Sequence, residues 1–230
     1  MIQSGATWVD IGGESTRPGA EIISIDEEIE RVIPVIRAIH NKYPEILISV
    51  DTRNHQVARL AIENGAKMVN DVSGLRDQKM VDLVLETGCI VCIMHMQGEP
   101  GSMQEQPVYD DVVEEVAQYL ESKAADLVKR GHSKDKIIID PGIGFGKNHQ
   151  HNIALMRAIS RFKASGYDLL WGISRKSVIG QLTGKSTAKE RLAGTLGSSI
   201  FAALNGVDIL RVHDVDEHND MLNVYRALVG

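Results

Sequence analysis

The sequence predicts an α/β protein of the (β/α)8-barrel type, and three observations carry that prediction. Seven short apolar runs, each followed by a stretch of helical periodicity, fill the 230 residues from end to end. Strands alternating with helices build a parallel sheet flanked by those helices. The runs are nearly unbroken in apolar residues rather than alternating, as strands covered on both faces require. Polar and glycine-rich residues then follow the same end of almost every run: Asp10 to Gly19, Asp51-Thr52-Arg53, Asn70-Asp71, Met94-His95-Met96, Asp140 to Lys147, Ser174-Arg175-Lys176 and Arg211-Val212-His213. An open doubly wound sheet gathers its chemistry near one switch point. A ring brings every strand end to one mouth, and tips spread over all seven runs favour the ring. Eight units close such a barrel, so one strand is expected to be missing from this chain.

The elements follow in order. Trp8 to Ile11 is the first strand. Ser24 and Glu27 form a capping box that opens a helix with the apolar stripe Ile29, Val32, Ile33, Ile36 and Ile39, kinked at Pro34. A strand over Ile46–Val50 leads to a helix with Val57, Leu60 and Ala61 inward and Gly65 as its stop. Lys67–Val69 is a short strand, and a helix over Lys79–Glu86 follows it. Cys89–Met94 is the fourth strand. The clearest helix is Asp111–Lys129, with Val112, Val113, Val116, Leu120 and Leu127 on one face. The remaining strands are Ile137–Ile139, Asp168–Gly172 and Val207–Leu210. Helical regions near Asn152–Phe162, Lys189–Leu204 and Asp214–Leu228 follow them in turn.

A hydrophobic fraction of 43% supports one large domain spanning 1–230, with no compositional boundary inside it. The net charge of −6 is mild and unsegregated, which argues against a nucleic-acid partner. No run approaches the length of a membrane span, and MIQSGATWVD has no basic region or apolar signal core. A cytoplasmic protein is expected. Cys89 and Cys92 spell C-x-x-C, but residues three apart on a strand face opposite ways. They are expected to be reduced, buried small hydrophobes and not a redox pair.

The motifs concern the strand ends. In Asp10-Ile-Gly-Gly-Glu-Ser-Thr-Arg-Pro-Gly19 the glycines permit close backbone approach. Thr16 and Arg17 suit an anion or carboxylate, and Pro18 stiffens the loop. An ordinary βα loop is the plain alternative. A single Asp at a strand end is most often a helix N-cap. Asp51, Asn70 and Asp140 converging on one pocket would instead read the donor-rich edge of a heterocycle such as a pterin or guanine. Asp140-Pro-Gly-Ile-Gly-Phe-Gly-Lys147 lacks the spacing of a dinucleotide loop, and its glycines let Phe145 pack near a flat ring. Gly180–Ser186 ends in Gly-Lys-Ser, but Ile179 stands where a P-loop needs glycine. Ser174-Arg175-Lys176-Ser177 and Arg211-Val212-His213 put basic groups after the last two strands, where barrels often bind phosphate. Internal pairing of Arg211 or Lys176 with Asp140 is the alternative. His149-x-His151 lies at a helix start without matching carboxylates, so no metal site is predicted there. Met94 and Met96 suit either a ligand ring or the core.

Together DIGGESTRPGA, SVDTR, NDVSGL, CIMHMQGEP, DPGIGFGK, GISRKSVIGQL and RVHDV, in that order over the whole chain, resemble the dihydropteroate synthase family of pterin-binding enzymes, the target of sulfonamides. The resemblance implies a folate-pathway transferase that joins 6-hydroxymethyl-7,8-dihydropterin diphosphate to p-aminobenzoate, with Mg2+, and releases diphosphate. It implies that Asp51, Asn70, Asp140 and Lys176 hold the pterin, with Met94, Ile143, Phe145 and Gly172 around it. Arg211 and His213 would take the diphosphate, with Thr16 nearby, and Val212 would belong to the substrate site. Arg17, Pro18, Lys176 and Ser177 would shape the p-aminobenzoate site. Lys176, Arg211 and Asp140 carry the chemistry in this reading, and a homodimer through the late helices is implied.

Two departures accompany the resemblance. Ile143 stands where relatives often carry Phe. The family's opening strand and loop, roughly LNVTPDSFSDGG, whose Asn helps bind Mg2+, lies upstream of Met1 and is absent. The expectations are a barrel prone to association through two unpaired edges and little synthase activity. A methyltetrahydrofolate methyltransferase-type barrel and a non-catalytic pterin-binding remnant are the alternatives. The TRPG loop and SRK element argue against the first.

Overall fold

The structure is a computed structural model that describes residues 1–15, 22–98, 103 and 107–229. Among the described residues, seven strands form one sheet in the order of the chain. They are β1 (Trp8–Gly12), β2 (Leu47–Asp51), β3 (Met68–Asp71), β4 (Ile90–Met94), β5 (Ile137–Asp140), β6 (Asp168–Trp171) and β7 (Ile209–Leu210). Every neighbouring pair is parallel. The helices between and after them are α1 (Ile25–Lys42), α2 (His55–Glu63), α3 (Gln78–Thr87), α4 (Val112–Lys129), α5 (His149–Arg157), α6 (Ile159–Lys163), α7 (Ser177–Thr183), α8 (Leu192–Leu204) and α9 (Val215–Val229). β1 and β7 do not pair, yet Trp8 and Ile209 pack on one interior cluster and Arg211 reaches Asp10. The sheet is therefore rolled into a barrel with one seam left open.

Alternation along the strands explains both the core and the mouth. One face of the strands turns toward the helices, where Ile48, Val50, Val69, Val91, Ile93, Ile137, Ile139, Leu169 and Trp171 join the large core with Val32, Ile36, Leu120 and Phe162. The other face turns to the barrel axis. Its lower tier is apolar: Met68, Cys92, Ile138 and Leu170, with Trp8, Ile90 and Ile209 against them. The next inward positions on the same strands are Asp10, Asp51, Asn70, Asp140 and Gly172, so the interior changes from apolar to polar within one step of the pleat. Register pairs Gly12 with Asp51, Asp51 with Asn70 and Met94 with Asp140, while Asp10 sits one inward step below, opposite Ser49, and Asn70 lies opposite Cys92. Cys89 and Cys92 are free thiols, one in the helix-side core and one in the lumen, as their spacing predicts.

α1 is continuous across Pro34, which lies on its solvent face, where water can satisfy the carbonyl that the ring leaves free. Two local expectations need correction. The helix expected near Asn152–Phe162 is two, divided at Ala158. The region expected as helix only from Lys189 begins earlier, because α7 starts at Ser177 and stops at Gly184 in the left-handed conformation. The short apolar stretch Val178-Ile179 spans too few turns to show a period.

Candidate active site

The upper tier and its loops enclose a cavity of about 1550 Å³ that runs from the mouth into the seam between β1 and β7. A pocket for a small ligand is commonly about 300–1,000 Å³, and the seam accounts for the excess length. Its polar wall has three parts.

The first part is acidic with one cation set into it. Arg211, just past β7, donates from Nε to Asp10 Oδ2 at 2.6 Å and from a terminal nitrogen to Asp51 Oδ2 at 2.8 Å. Asn70 donates its amide to the same Asp10 oxygen at 3.2 Å. Asp10 Oδ1 is buried and has no hydrogen-bond partner among the described residues. Burial pushes the Asp51 carboxyl up to about 7, with Asp10 adding to the rise and Arg211 opposing it. Burial pulls the Arg211 guanidinium down, but Asp10 and Asp51 outweigh it and hold the group firmly charged.

The second part is the loop after β5. Asp140 caps it internally, its Oδ1 accepting from Gly142 N at 2.7 Å. Gly142 needs its left-handed φ of +68° and its missing side chain, since a Cβ there would sit 1.9 Å from the His95 carbonyl oxygen. The loop then presents Phe145 to the cavity, with Met94, Met96, Met103 and Val72 packed behind it. Burial raises the Asp140 carboxyl, and the nearby Lys176 counters the rise.

The third part follows β6 and β7. Lys176 reaches back over the Phe145 ring, 4.4 Å from its centroid, and donates to the Ile143 carbonyl. Burial draws this ammonium down to about 8, against the pull of Asp140. Ser177 opens α7 beside it. Arg175, at φ +59°, turns to Asp214 instead, with Nε 2.9 Å from the carboxylate. Ser174 Oγ accepts from His213 N at 3.2 Å and meets His213 Nδ1 at 3.0 Å. That fixes His213 at the rim with Val212 next to it.

Asp51, Asn70, Phe145, Gly172, Lys176, Ser177, Arg211, Val212 and His213 thus share one cavity wall. Asp140 and Met94 are buried directly behind that wall. Ile143 offers its carbonyl, while its side chain lies in the helix-side core. Thr16, Arg17 and Pro18 lie outside the described residues. Arg211 pairs with Asp10 and Asp51 and not with Asp140, contrary to the internal pair that the sequence allows. Asp10 is a site residue that the sequence reading misses, although its inward parity with Gly12, one step below the tip, is a signal that could find it.

Known proteins resemble this chain in sequence and in fold. The family profile described as pterin binding enzyme matches residues 1–213. The dihydropteroate synthase of Escherichia coli (strain K12) is 46% identical over 230 residues, which cover 100% of this chain and 81% of that relative. The Yersinia pestis dihydropteroate synthase solved in a sulfonamide drug complex superposes with a TM-score of 0.94 at 38% identity, covering 99% of this chain and 82% of that one. The dihydropteroate synthase of Thermus thermophilus in complex with 4-aminobenzoate gives a TM-score of 0.93 at 40% identity, covering 99% of this chain and 86% of that one.

Proposed function

The chain belongs to the pterin-binding enzymes and, within them, to the dihydropteroate synthases, and from that membership we propose how its mouth joins 6-hydroxymethyl-7,8-dihydropterin diphosphate to p-aminobenzoate. The observation that supports the assignment of roles is the division of one cavity into an acidic floor and a basic rim. Asp51, Asn70 and Asp140 take the donor-rich edge of the pterin, with Phe145 along its face and Gly172 leaving room below. Arg211 and His213 receive the diphosphate. As the methylene C–O bond breaks, its electron pair leaves with the diphosphate, and the basic rim stabilises that charge. The carboxylates steady the positive charge left on the pterin. The p-aminobenzoate nitrogen, held near Lys176 and Ser177, then forms the C–N bond and loses a proton to solvent. No enzyme nucleophile is required.

The resemblance also brings Mg2+. Among the described residues no group of three His, Cys, Asp or Glu could hold a metal ion, and Asp10 Oδ1 is a single unengaged oxygen in the mouth. Mg2+ takes an octahedron of oxygens, shared with phosphates. The described residues do not make that site, and no step here runs through the metal. The homodimer belongs to the proposal as well. Phe201 and Leu204 of α8 and Val224 and Leu228 of α9 are exposed large apolar groups, which supports a contact on that face. No helix among the described residues is long and apolar enough to cross a membrane, and a cytoplasmic site of action is part of the same proposal.

The test is direct. Calorimetric titration should show binding of the pterin diphosphate and none of methyltetrahydrofolate, and added p-aminobenzoate should give dihydropteroate. Binding of methyltetrahydrofolate alone would replace this reading with the methyltransferase one; pterin binding with no turnover even when the family's opening strand and loop are joined upstream would favour the non-catalytic remnant.

The titrating groups predict the pH profile. Asp51 must be ionised, which is lost as pH falls through about 7. Lys176 must be protonated, which is lost as pH rises through about 8. The dependence of kcat/KM on pH should be a narrow bell between these limbs. A rate still rising above about pH 9 would remove Lys176 from the essential set.

A further inference from the structure

Lys147 is fully buried and has no part in the chemistry described above. Its ammonium lies 2.9 Å from the Phe145 carbonyl, 3.0 Å from the Gly142 carbonyl, 3.2 Å from the His95 carbonyl and 3.0 Å from His95 Nδ1. Those acceptors belong to the glycine loop and to the other loop end on which it rests. We propose that Lys147 is a positioning residue for the pterin, an internal ammonium that locks the loop after β5 onto the loop after β4 and so fixes the Phe145 ring and the Ile143 carbonyl. This rests on the pterin-binding role proposed above.

The surroundings are built for that task. The two loops touch so closely that a Cβ on Gly142 would lie 1.9 Å from the His95 oxygen, and one on Gly146 would lie 2.4 Å from the Gln97 oxygen. The Gly142 carbonyl already accepts from Phe145 N at 3.0 Å, and Lys147 donates to it as well as to the His95 and Phe145 carbonyls. An ammonium supplies three donors, so two of the four acceptors share one N–H. The His95 ring is held edge-on to Tyr119, with centroids 5.1 Å apart. Tyr119 is itself anchored by its hydroxyl to the Gly74 carbonyl at 2.9 Å, and Tyr109 bonds the Gly146 carbonyl at 2.8 Å. Burial, with Lys147 adding to it, drives the His95 imidazole down to about 3, so a neutral ring offers its lone pair to the ammonium. Lys147 shares the hold on this loop with Asp140, which accepts from Gly142 N, and Asn152, which accepts from Gly144 N, and alone among these three side chains it reaches across to the loop after β4; burial draws its ammonium down to about 7 against the pull of Asp140.

The experiment is titration of the pterin diphosphate into wild type and Lys147→Met, with steady-state kinetics and melting curves alongside. The expected result is a rise of at least about tenfold in the pterin Kd, with the KM for p-aminobenzoate within about twofold of wild type. A folded Lys147→Met with a lower melting temperature but an unchanged pterin Kd would reduce Lys147 to a structural role and overturn the proposal. Should that variant not fold, His95→Phe keeps the ring and removes one acceptor. It should raise the pterin Kd at least about threefold, and no change would again overturn the proposal. In ligand-free wild type the amides of 142–147 should exchange slowly with solvent, and exchange at open-loop rates would contradict the lock. Failure of wild type itself to bind the pterin would instead count against the function proposed above.

Discussion

Lys176→Ala is expected to lower kcat/KM by about a thousandfold while leaving the fold intact. A positioned donor to charge that develops in a transition state is commonly worth about 10²–10³ in rate, and Lys176 serves two neighbours. Its ammonium stands over the Phe145 ring and on the Ile143 carbonyl, between the flat-ring pocket and the start of α7. Alanine removes the cation and also the methylene stem that lies against Gly144. Stability should hardly suffer. The charged form is already disfavoured by burial, as its lowered pKa of about 8 records, so its removal relieves a desolvation cost as well as losing its attraction to Asp140. The melting temperature should stay within a few degrees of wild type. A variant keeping more than about a tenth of wild-type kcat/KM would end the assignment of Lys176 to the chemistry, and Lys176→Arg should move the basic limb of the pH profile upward.

Much of this site can be read from the sequence because a parallel barrel converts a linear pattern into a radial one. The polar residue that ends an apolar run lands at the mouth whatever the run's place in the chain, so Asp51, Asn70 and Arg211 group together although 160 residues separate two of them. What the pattern does not resolve is parity and reach. An apolar run from Trp8 to Ile11 gives no sign that Asp10 inside it faces the lumen. The pleat places Asp10 inward, two residues before Gly12, where it takes both Arg211 and Asn70. At Ile143 the sequence points to the side chain, whereas the side chain lies in the core and the carbonyl is what meets Lys176, between glycines in the left-handed conformation at 142 and 144. Lys147 ends the glycine-rich motif, and the sequence assigns it no role of its own. Only the packing of one loop on another, a long-range contact that local spacing does not encode, turns it inward.

Asp10→Asn is the second large effect expected, and it separates a positioning carboxylate from a merely buried one. Asp10 accepts from Arg211 and Asn70 through a single oxygen, so it sets the direction of the guanidinium that faces the leaving group and of the amide that faces the heterocycle. Asparagine keeps the shape and removes the charge. Breaking one partner of a hydrogen-bonded charge pair at a binding site costs about 2–5 kcal/mol. Arg211 is nearly half exposed, at 45%, so solvent screening holds the effect to the lower end. A fall of about 30- to 100-fold in kcat/KM follows at about 1.4 kcal/mol per decade. The sign of a second readout distinguishes the roles. Asp10 is one of the causes that raise the Asp51 pKa, so neutralising it should let Asp51 ionise at lower pH and move the acid limb downward. A rate loss with an unmoved acid limb would mean that Asp10 acts by packing alone, and an unaltered rate would mean that Asp51 by itself suffices to aim Arg211. Because Arg211 touches both carboxylates, Asp10→Asn and Asp51→Asn should be non-additive, their combined loss differing from the sum of the single losses by more than the few tenths of a kcal/mol expected of independent sites.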